Sequence, residues 1–230
     1  MSVRHGKVRA PKGIAGPRTR AQKARSQLRQ WVRRLESQEE DERWEAAENP
    51  PAICGPAVVP YLIRALADKV SLVRVCAAES LQWYRVAEAR QAIIRQLARE
   101  TDPLARAYCL STLGSLAERC DIPRLFPYTS SGKTPIVRLH AAVGLCWAAY
   151  RQAREVVYSV LETGAARDRG AAASIAQAIG GEQAGDDELL AVLKAYWRKE
   201  RWGFPKSAMR EAIMVLRNAG RDRRRQNEAT

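Results

Sequence analysis

LVRVCAAESL at residues 72–81, LARAYCLSTL at residues 104–113 and IVRLHAAVGL at residues 136–145 repeat one pattern at a spacing of 32 residues. The third position of each stretch is an arginine and the last is a leucine; the arginines are Arg74, Arg106 and Arg138. Self-similarity at this period is typical of stacked helical units. The sequence therefore predicts an all-α solenoid, whose long surface favours binding of a partner over a preformed pocket.

The segments around these stretches also have helical character. Good helix formers dominate, strand-type alternation is missing, and the breaks are only a few residues long, so successive helices are expected to pack antiparallel as about five hairpins. Asp102 and Thr134 are predicted to be helix N-caps, because each precedes a proline that suits the first position of a helix. The predicted helices span residues 56–67, 71–84, 87–100, 103–117, 121–130, 135–149, 152–164, 169–179, 186–200 and 206–219.

Four regions are expected along the chain. Residues 1–20 are rich in Gly, Pro, Lys and Arg and are predicted to be a disordered basic tail. An N-terminal capping helix is predicted over residues 21–49, because apolar residues recur there at helical spacing until a Pro-Pro pair ends it. The solenoid is expected over residues 55–219, and a second disordered basic tail over residues 220–230.

The net charge of +14 is unevenly distributed. Residues 1–35 contain eleven Lys and Arg and no acid, whereas residues 36–49 contain seven acids and one Arg. Basic ends can contact nucleic acid or an acidic partner, and the N-terminal tail could instead pair with the acidic stretch at residues 36–48. No run of 18 apolar residues is present, so neither a membrane span nor a membrane partner is expected.

Residues 57–81, AVVPYLIRALADKVSLVRVCAAESL, resemble a HEAT repeat, and the resemblance extends over about residues 55–219. The matching positions are Pro60 in the first helix, Asp68 in the turn, and Val73 and Arg74 at the start of the second helix. This resemblance implies a ladder of bonds from Asp68 to Arg74 and its equivalents. It also implies that the second helix of each hairpin lines a concave surface. Outward positions there are the partner-binding candidates Arg74, Glu79, Arg106 and Arg138.

The arginine column has two interpretations at this stage: a structural ladder between repeats, or a surface that binds phosphate. A second candidate segment is YWRKERWGFPK at residues 196–206, in which aromatic and basic residues alternate. Such a segment can stack on nucleobases or recognise an acidic partner, and the alternative is that its tryptophans belong to the core. Its candidate residues are Trp197, Arg198, Arg201 and Trp202.

No catalytic, cofactor or metal site is predicted. Only two histidines occur, His5 and His140, and no Ser–His–acid set stands out. SSGKT at residues 130–134 lacks the upstream glycine of a phosphate loop, because that position is Pro127. Five cysteines without a CxxC pair are expected to be reduced thiols, which favours a cytoplasmic location.

The sequence therefore favours a non-catalytic scaffold or adaptor that binds a protein partner. The alternatives are a nucleic-acid-binding or DNA-modifying protein of the HEAT-like alkylpurine glycosylase type, and a HEAT-like bilin lyase. The sequence contains no signal for the oligomeric state.

Overall fold

The structure is a computed structural model that describes residues 19–146, 148–182, 186–201 and 203–228, and these residues form no strand. The predicted all-α class is therefore confirmed. The α-helices are α1 (Arg20–Leu35), α2 (Glu40–Glu48), α3 (Val59–Ala65), α4 (Ser71–Leu81), α5 (Ala87–Arg99), α6 (Pro103–Leu116), α7 (Pro135–Leu145), α8 (Tyr150–Thr163), α9 (Ala166–Glu182), α10 (Asp187–Lys199) and α11 (Phe204–Glu228). Three 3-10 segments are Ala52–Val58, Arg119–Arg124 and Phe126–Thr129. None of the described helices combines the length and the apolar composition that a bilayer crossing requires.

The helices form two layers. In the second layer, α2, α4, α6, α7, α9 and α11 pack against one another in that order. In the first layer, α1, α3, α5, α8 and α10 each pack on the second-layer helix that follows them in the chain. This order is that of stacked hairpins, so the α-solenoid prediction is confirmed.

The core of the stack is built from the repeated positions. Leu81, Leu113 and Leu145 are fully buried. Hydroxyl groups join neighbouring helices of the second layer: Ser80 Oγ donates to the Ala47 carbonyl at 2.7 Å, and Thr112 Oγ1 donates to the Ala78 carbonyl at 2.9 Å. These buried bonds fix the distance between successive hairpins.

The N-terminal region differs from the prediction of one capping helix over residues 21–49. It contains two helices, α1 and α2, which form a first hairpin. Trp31 Nε1 donates to the Ala46 carbonyl at 2.6 Å, which holds α1 on α2, and α2 packs on α4 as a regular member of the second layer. Stacking therefore begins before residue 55, the expected start of the solenoid.

The predicted helix over residues 121–130 is also absent as an α-helix. Two 3-10 segments replace it, because Pro123 and Pro127 lack the amide hydrogen that an α-helix needs. Next to these segments, α6 and α7 approach closely at a pair of glycines. A Cβ added to Gly114 would overlap the Cα of Gly144, and one added to Gly144 would lie 2.8 Å from the Leu110 carbonyl oxygen.

Two further expectations need correction. Helix α11 runs to Glu228, so residues 220–228 are helical where a disordered tail was expected. Arg, Gln and Glu are good helix formers, which accounts for the extension. At the start of α7, Thr134 makes no side-chain capping bond, although Pro135 does occupy the first turn. Asp102 caps α6 as predicted, by accepting from the amides of Leu104 and Ala105.

Candidate partner-binding surfaces

Arg74, at the start of α4, links the turn of its own hairpin to the turn of the next. Its Nε and Nη2 donate to the two carboxylate oxygens of Glu100, each at 2.8 Å. Its Nη1 donates to the carbonyls of Asp68 at 2.9 Å and Lys69 at 3.3 Å. The Arg74 side chain is 14% exposed and that of Glu100 is 1% exposed, so the pair is almost withdrawn from water.

Electrostatics show how strongly this pair is held. Burial disfavours the Glu100 carboxylate, but hydrogen bonds from Arg74 and Gln96 outweigh burial and lower its pKa to about 2. The pKa of Arg74 is raised, first by the same hydrogen bond. Both groups are therefore charged at neutral pH.

The ladder has two arginines that sequence inspection missed. Arg43 donates to the Asp68 carboxylate at 2.8 and 3.2 Å, and Arg169 donates to the Glu200 carboxylate at 2.7 and 3.0 Å. Both also donate to a carbonyl of their own turn, as Arg74 does. The Asp68 carboxylate thus accepts from Arg43. Arg74 donates to the main-chain carbonyl of Asp68 and not to its carboxylate. Arg43 lies in the acidic stretch and Arg169 is displaced by one residue from the 32-residue period, which concealed both.

Arg106 and Arg138 occupy the same column without a carboxylate among the described residues. Arg106 Nη2 donates to the Glu100 carbonyl. Arg138 is buried; its Nε donates to the Thr129 carbonyl at 3.2 Å and its Nη2 to Ser159 Oγ at 2.9 Å. The positions 32 and 64 residues after Glu100 are Gly132 and Gly164. The turns that follow the Glu100 turn therefore lack an acid at the equivalent position. The hydrogen bonds of the column thus match its structural interpretation.

Glu79, another predicted candidate, lies on a surface that we call the open face. This face is formed by one side-chain stripe from each of three neighbouring second-layer helices and by Trp83, two residues beyond the end of α4. Leu72 and Leu104 are 42% and 44% exposed at equivalent positions, and Trp83 is 78% exposed. The open face comprises Leu72, Cys76, Glu79 and Trp83, then Leu104, Tyr108 and Ser111 on α6, and Ile136, His140 and Val143 on α7.

His140 is the best-connected polar residue of the open face. Its ring centroid lies 4.9 Å from that of Tyr108, and its Nδ1 lies 3.2 Å from Ser111 Oγ. Burial lowers the pKa of His140 to about 4, so the imidazole is neutral at pH 7. No carboxylate among the described residues bonds to His140, so the Ser–His contact lacks the third group that orients a catalytic triad. This supports its placement at a contact between repeats.

The third candidate surface is a cavity of about 380 Å³ between α10 and α11, which we call the basic groove. Its lining contains Trp197 and Arg198, two of the predicted residues. Arg201 is exposed outside this lining, and Trp202 lies outside the described residues. Lys206 Nζ lies 5.1 Å from the centre of the Trp197 ring. The groove is lined by Lys194, Trp197, Arg198, Arg210, Ile213, Met214 and Arg217.

Three comparisons relate this chain to known proteins. A comparison with curated proteins gave no match. Human deoxyhypusine hydroxylase in complex with glycerol shares 14% identity and a TM-score of 0.46, over 85% of this chain and 87% of that one. A chain of the CpcE–CpcF complex of phycocyanin lyase from Nostoc sp. PCC7120 shares 17% identity and a TM-score of 0.48, over 92% of this chain and 100% of that one. Residues 26–114 match the model of the HEAT repeats family, and this match confirms the resemblance to HEAT repeats.

Proposed function

We propose that this chain is a non-catalytic HEAT-repeat scaffold, an adaptor that binds a partner protein on the open face. The observation that carries the proposal is the exposure of Leu72, Leu104 and Trp83 on neighbouring second-layer elements. Leu72 and Leu104 occupy equivalent positions on the adjacent helices α4 and α6, and exposed apolar side chains on adjacent helices mark interaction surfaces. Tryptophan is enriched among the residues that dominate binding energy. The five cysteines form no disulfide in the part of the chain that the structure describes, and this supports the proposed cytoplasmic location.

Charge on the open face indicates what kind of partner side chain it accepts. The pKa of Glu79 is raised by burial and by the nearby carboxylate of Glu48. A lysine or arginine of the partner placed beside Glu79 would relieve this repulsion. The arginines Arg74, Arg106 and Arg138 make their hydrogen bonds within the array, so we assign the main contact to the apolar residues and to Glu79.

The test is a photo-crosslinking experiment in the native cell. A photoreactive residue at position 104 should capture the same protein as one at position 72, whereas one at Phe126 should not, since that exposed residue lies on a 3-10 segment away from the open face. With the captured protein purified, Trp83→Ala should weaken binding by about thirtyfold, the usual effect of removing a dominant residue. Unchanged affinity for Trp83→Ala and for a Leu72→Asp, Leu104→Asp double variant would contradict the proposal.

Nucleic-acid binding is a second candidate, favoured by the bases at both ends of the chain. Residues 1–35 contain eleven Lys and Arg and no acid, and the end of α11 adds Arg221, Arg223, Arg224 and Arg225. When several lysines and arginines neutralise phosphates, the affinity for the nucleic acid falls steeply as the salt concentration rises. Full-length protein and a variant lacking residues 1–18 should be compared on DNA and RNA across a salt series. A shallower salt slope after deletion would support this role, and equal slopes would exclude the five bases of residues 1–18 as its cause.

A further inference from the structure

Four cations line the basic groove without a carboxylate partner among the described residues. Lys194 and Arg198 come from α10, and Arg210 and Arg217 come from α11. None of them forms an ion pair with another described residue, and the described lining contains no acid. By contrast, Arg43, Arg74, Arg90, Arg154 and Arg169 each have a carboxylate partner.

The floor between these cations is apolar. It is formed by Trp197, Ile213 and Met214, and Met214 is 53% exposed. Arg210, Ile213, Met214 and Arg217 follow the spacing i, i+3, i+4, i+7, so they share one face of α11. The positions 194, 197 and 198 form the matching stripe on α10. The groove therefore runs along the two helices for roughly 10 Å, about two turns.

We propose that the basic groove binds an acidic amphipathic α-helix of a partner protein. Leucine-like side chains of that helix would enter the floor, and its Asp and Glu residues would pair with the four cations. Recognition of an amphipathic helix in an apolar groove is a recurring mode, and a methionine floor adapts to the side chains that enter it. This site is separate from the open face and does not depend on the function proposed there.

The charge pattern determines this choice of occupant. A neutral apolar helix would leave the four cations without partners. A nucleic acid would satisfy them through phosphates and could stack a base on Trp197, but it would leave the aliphatic side chains of Ile213 and Met214 uncovered. An acidic amphipathic helix satisfies both features at once.

The test measures binding of a synthetic helical peptide to the full-length chain by fluorescence anisotropy. The peptide has about 15 residues, with leucines on one stripe and glutamates on both sides of it. A peptide of the same composition in scrambled order is the control for charge alone, and a duplex DNA of similar length is the third probe. The patterned peptide should bind at least about tenfold more tightly than the scrambled one, one power of ten in the equilibrium constant.

Protein variants then locate the site. A double variant with Arg210→Glu and Arg217→Glu, and separately Met214→Asp, should each weaken the patterned peptide at least about tenfold. Arg151→Glu, a charge reversal of an exposed α8 residue, should leave binding unchanged. Equal binding of the two peptides, or tighter binding of DNA with loss of DNA affinity in the same variants, would overturn the proposal.

Changing the peptide keeps the test decisive if a variant of the protein fails to fold. Replacing the peptide's leucines by alanine leaves the protein intact and should also cost at least about tenfold in affinity. No loss on this replacement would equally overturn the proposal.

Discussion

Removing Arg74 should destabilise the array through a charge left behind in its interior. In Arg74→Ala, the Glu100 carboxylate, which is 1% exposed in the intact array, loses its bidentate partner. Breaking a buried ion pair by removing one partner costs about 3–5 kcal/mol. Glu100 still accepts hydrogen bonds from Gln96 Nε2 and from the amides of Thr101 and Asp102. We therefore expect a loss near the lower limit, about 3 kcal/mol in the free energy of unfolding.

Denaturant unfolding followed by circular dichroism measures this loss, and thermal unfolding should show a fall of about 6–12 °C in Tm. Arg151→Ala is the matched control, because its ion pair with Glu155 is exposed, with side-chain exposures of 82% and 59%. An exposed pair at this helical spacing contributes about 0.3–0.5 kcal/mol. The comparison separates the effect of burial from the effect of losing an arginine.

The pH dependence provides a second measure of the same pair. The pKa of Glu100 is lowered from 4.5 to about 2, so its stabilising contribution is fully present above pH 4.5 and is lost as pH falls towards 2. Arg74→Ala removes the main lowering interaction, so the remaining contribution should be lost at higher pH. If Arg74→Ala and Arg151→Ala differ by less than about 0.5 kcal/mol, the ladder does not stabilise the fold, and Arg74 becomes a partner-contact candidate again.

Three further predictions concern packing and titration. Gly114→Ala should cost about 3 kcal/mol in denaturant unfolding, because its methyl group would overlap the backbone of Gly144, whereas Gly132→Ala, with nothing within 4 Å of the added Cβ, should cost almost nothing. Because burial lowers the pKa of His140 from 6.5 to about 4, the free energy of unfolding should fall as pH drops from 6.5 towards 4, and His140→Phe should remove that slope. Thr112→Val should lose about 1 kcal/mol in the same assay, since it deletes one buried hydrogen bond at nearly constant volume.

Much of the fold could be predicted from the 32-residue period and the helix breaks. The first hairpin could not, because residues 36–39 contain neither Gly nor Pro and the Pro-Pro pair marked only the end of α2. The 3-10 segments replaced a predicted helix since two prolines four residues apart remove successive donors. Residues 220–228 were predicted to be disordered because of their positive charge, but several of them are also good helix formers. The last two differences have local causes, proline and helix propensity, whereas the break between α1 and α2 depends on their packing through Trp31.

The candidate surfaces were predicted in part. The arginine column was visible, but its hydrogen-bond partners required the stacked geometry, in which residues about 26 positions apart become neighbours. Trp197 and Arg198 were found through the alternation of aromatic and basic residues. Arg210, Met214 and Arg217 were missed, although their i, i+4, i+7 spacing was a readable signal in α11. The hairpin prediction placed α10 beside α11, but the sequence alone could not show that these two stripes line the same groove.

The missing acids at Gly132 and Gly164 have a consequence for how the molecule comes apart. In a stacked array each hairpin is stabilised mainly by its neighbours, so overall cooperativity depends on every junction. Arg43, Arg74 and Arg169 each bond to a carboxylate, while Arg106 and Arg138 bond to neutral oxygens. Cohesion in the middle of the stack therefore has other sources: Arg90 on α5 donates to the Asp121 carboxylate at 2.6 Å, and α6 and α7 approach closely at Gly114 and Gly144. Unfolding of the two halves thus stays coupled through these contacts and not through the arginine column.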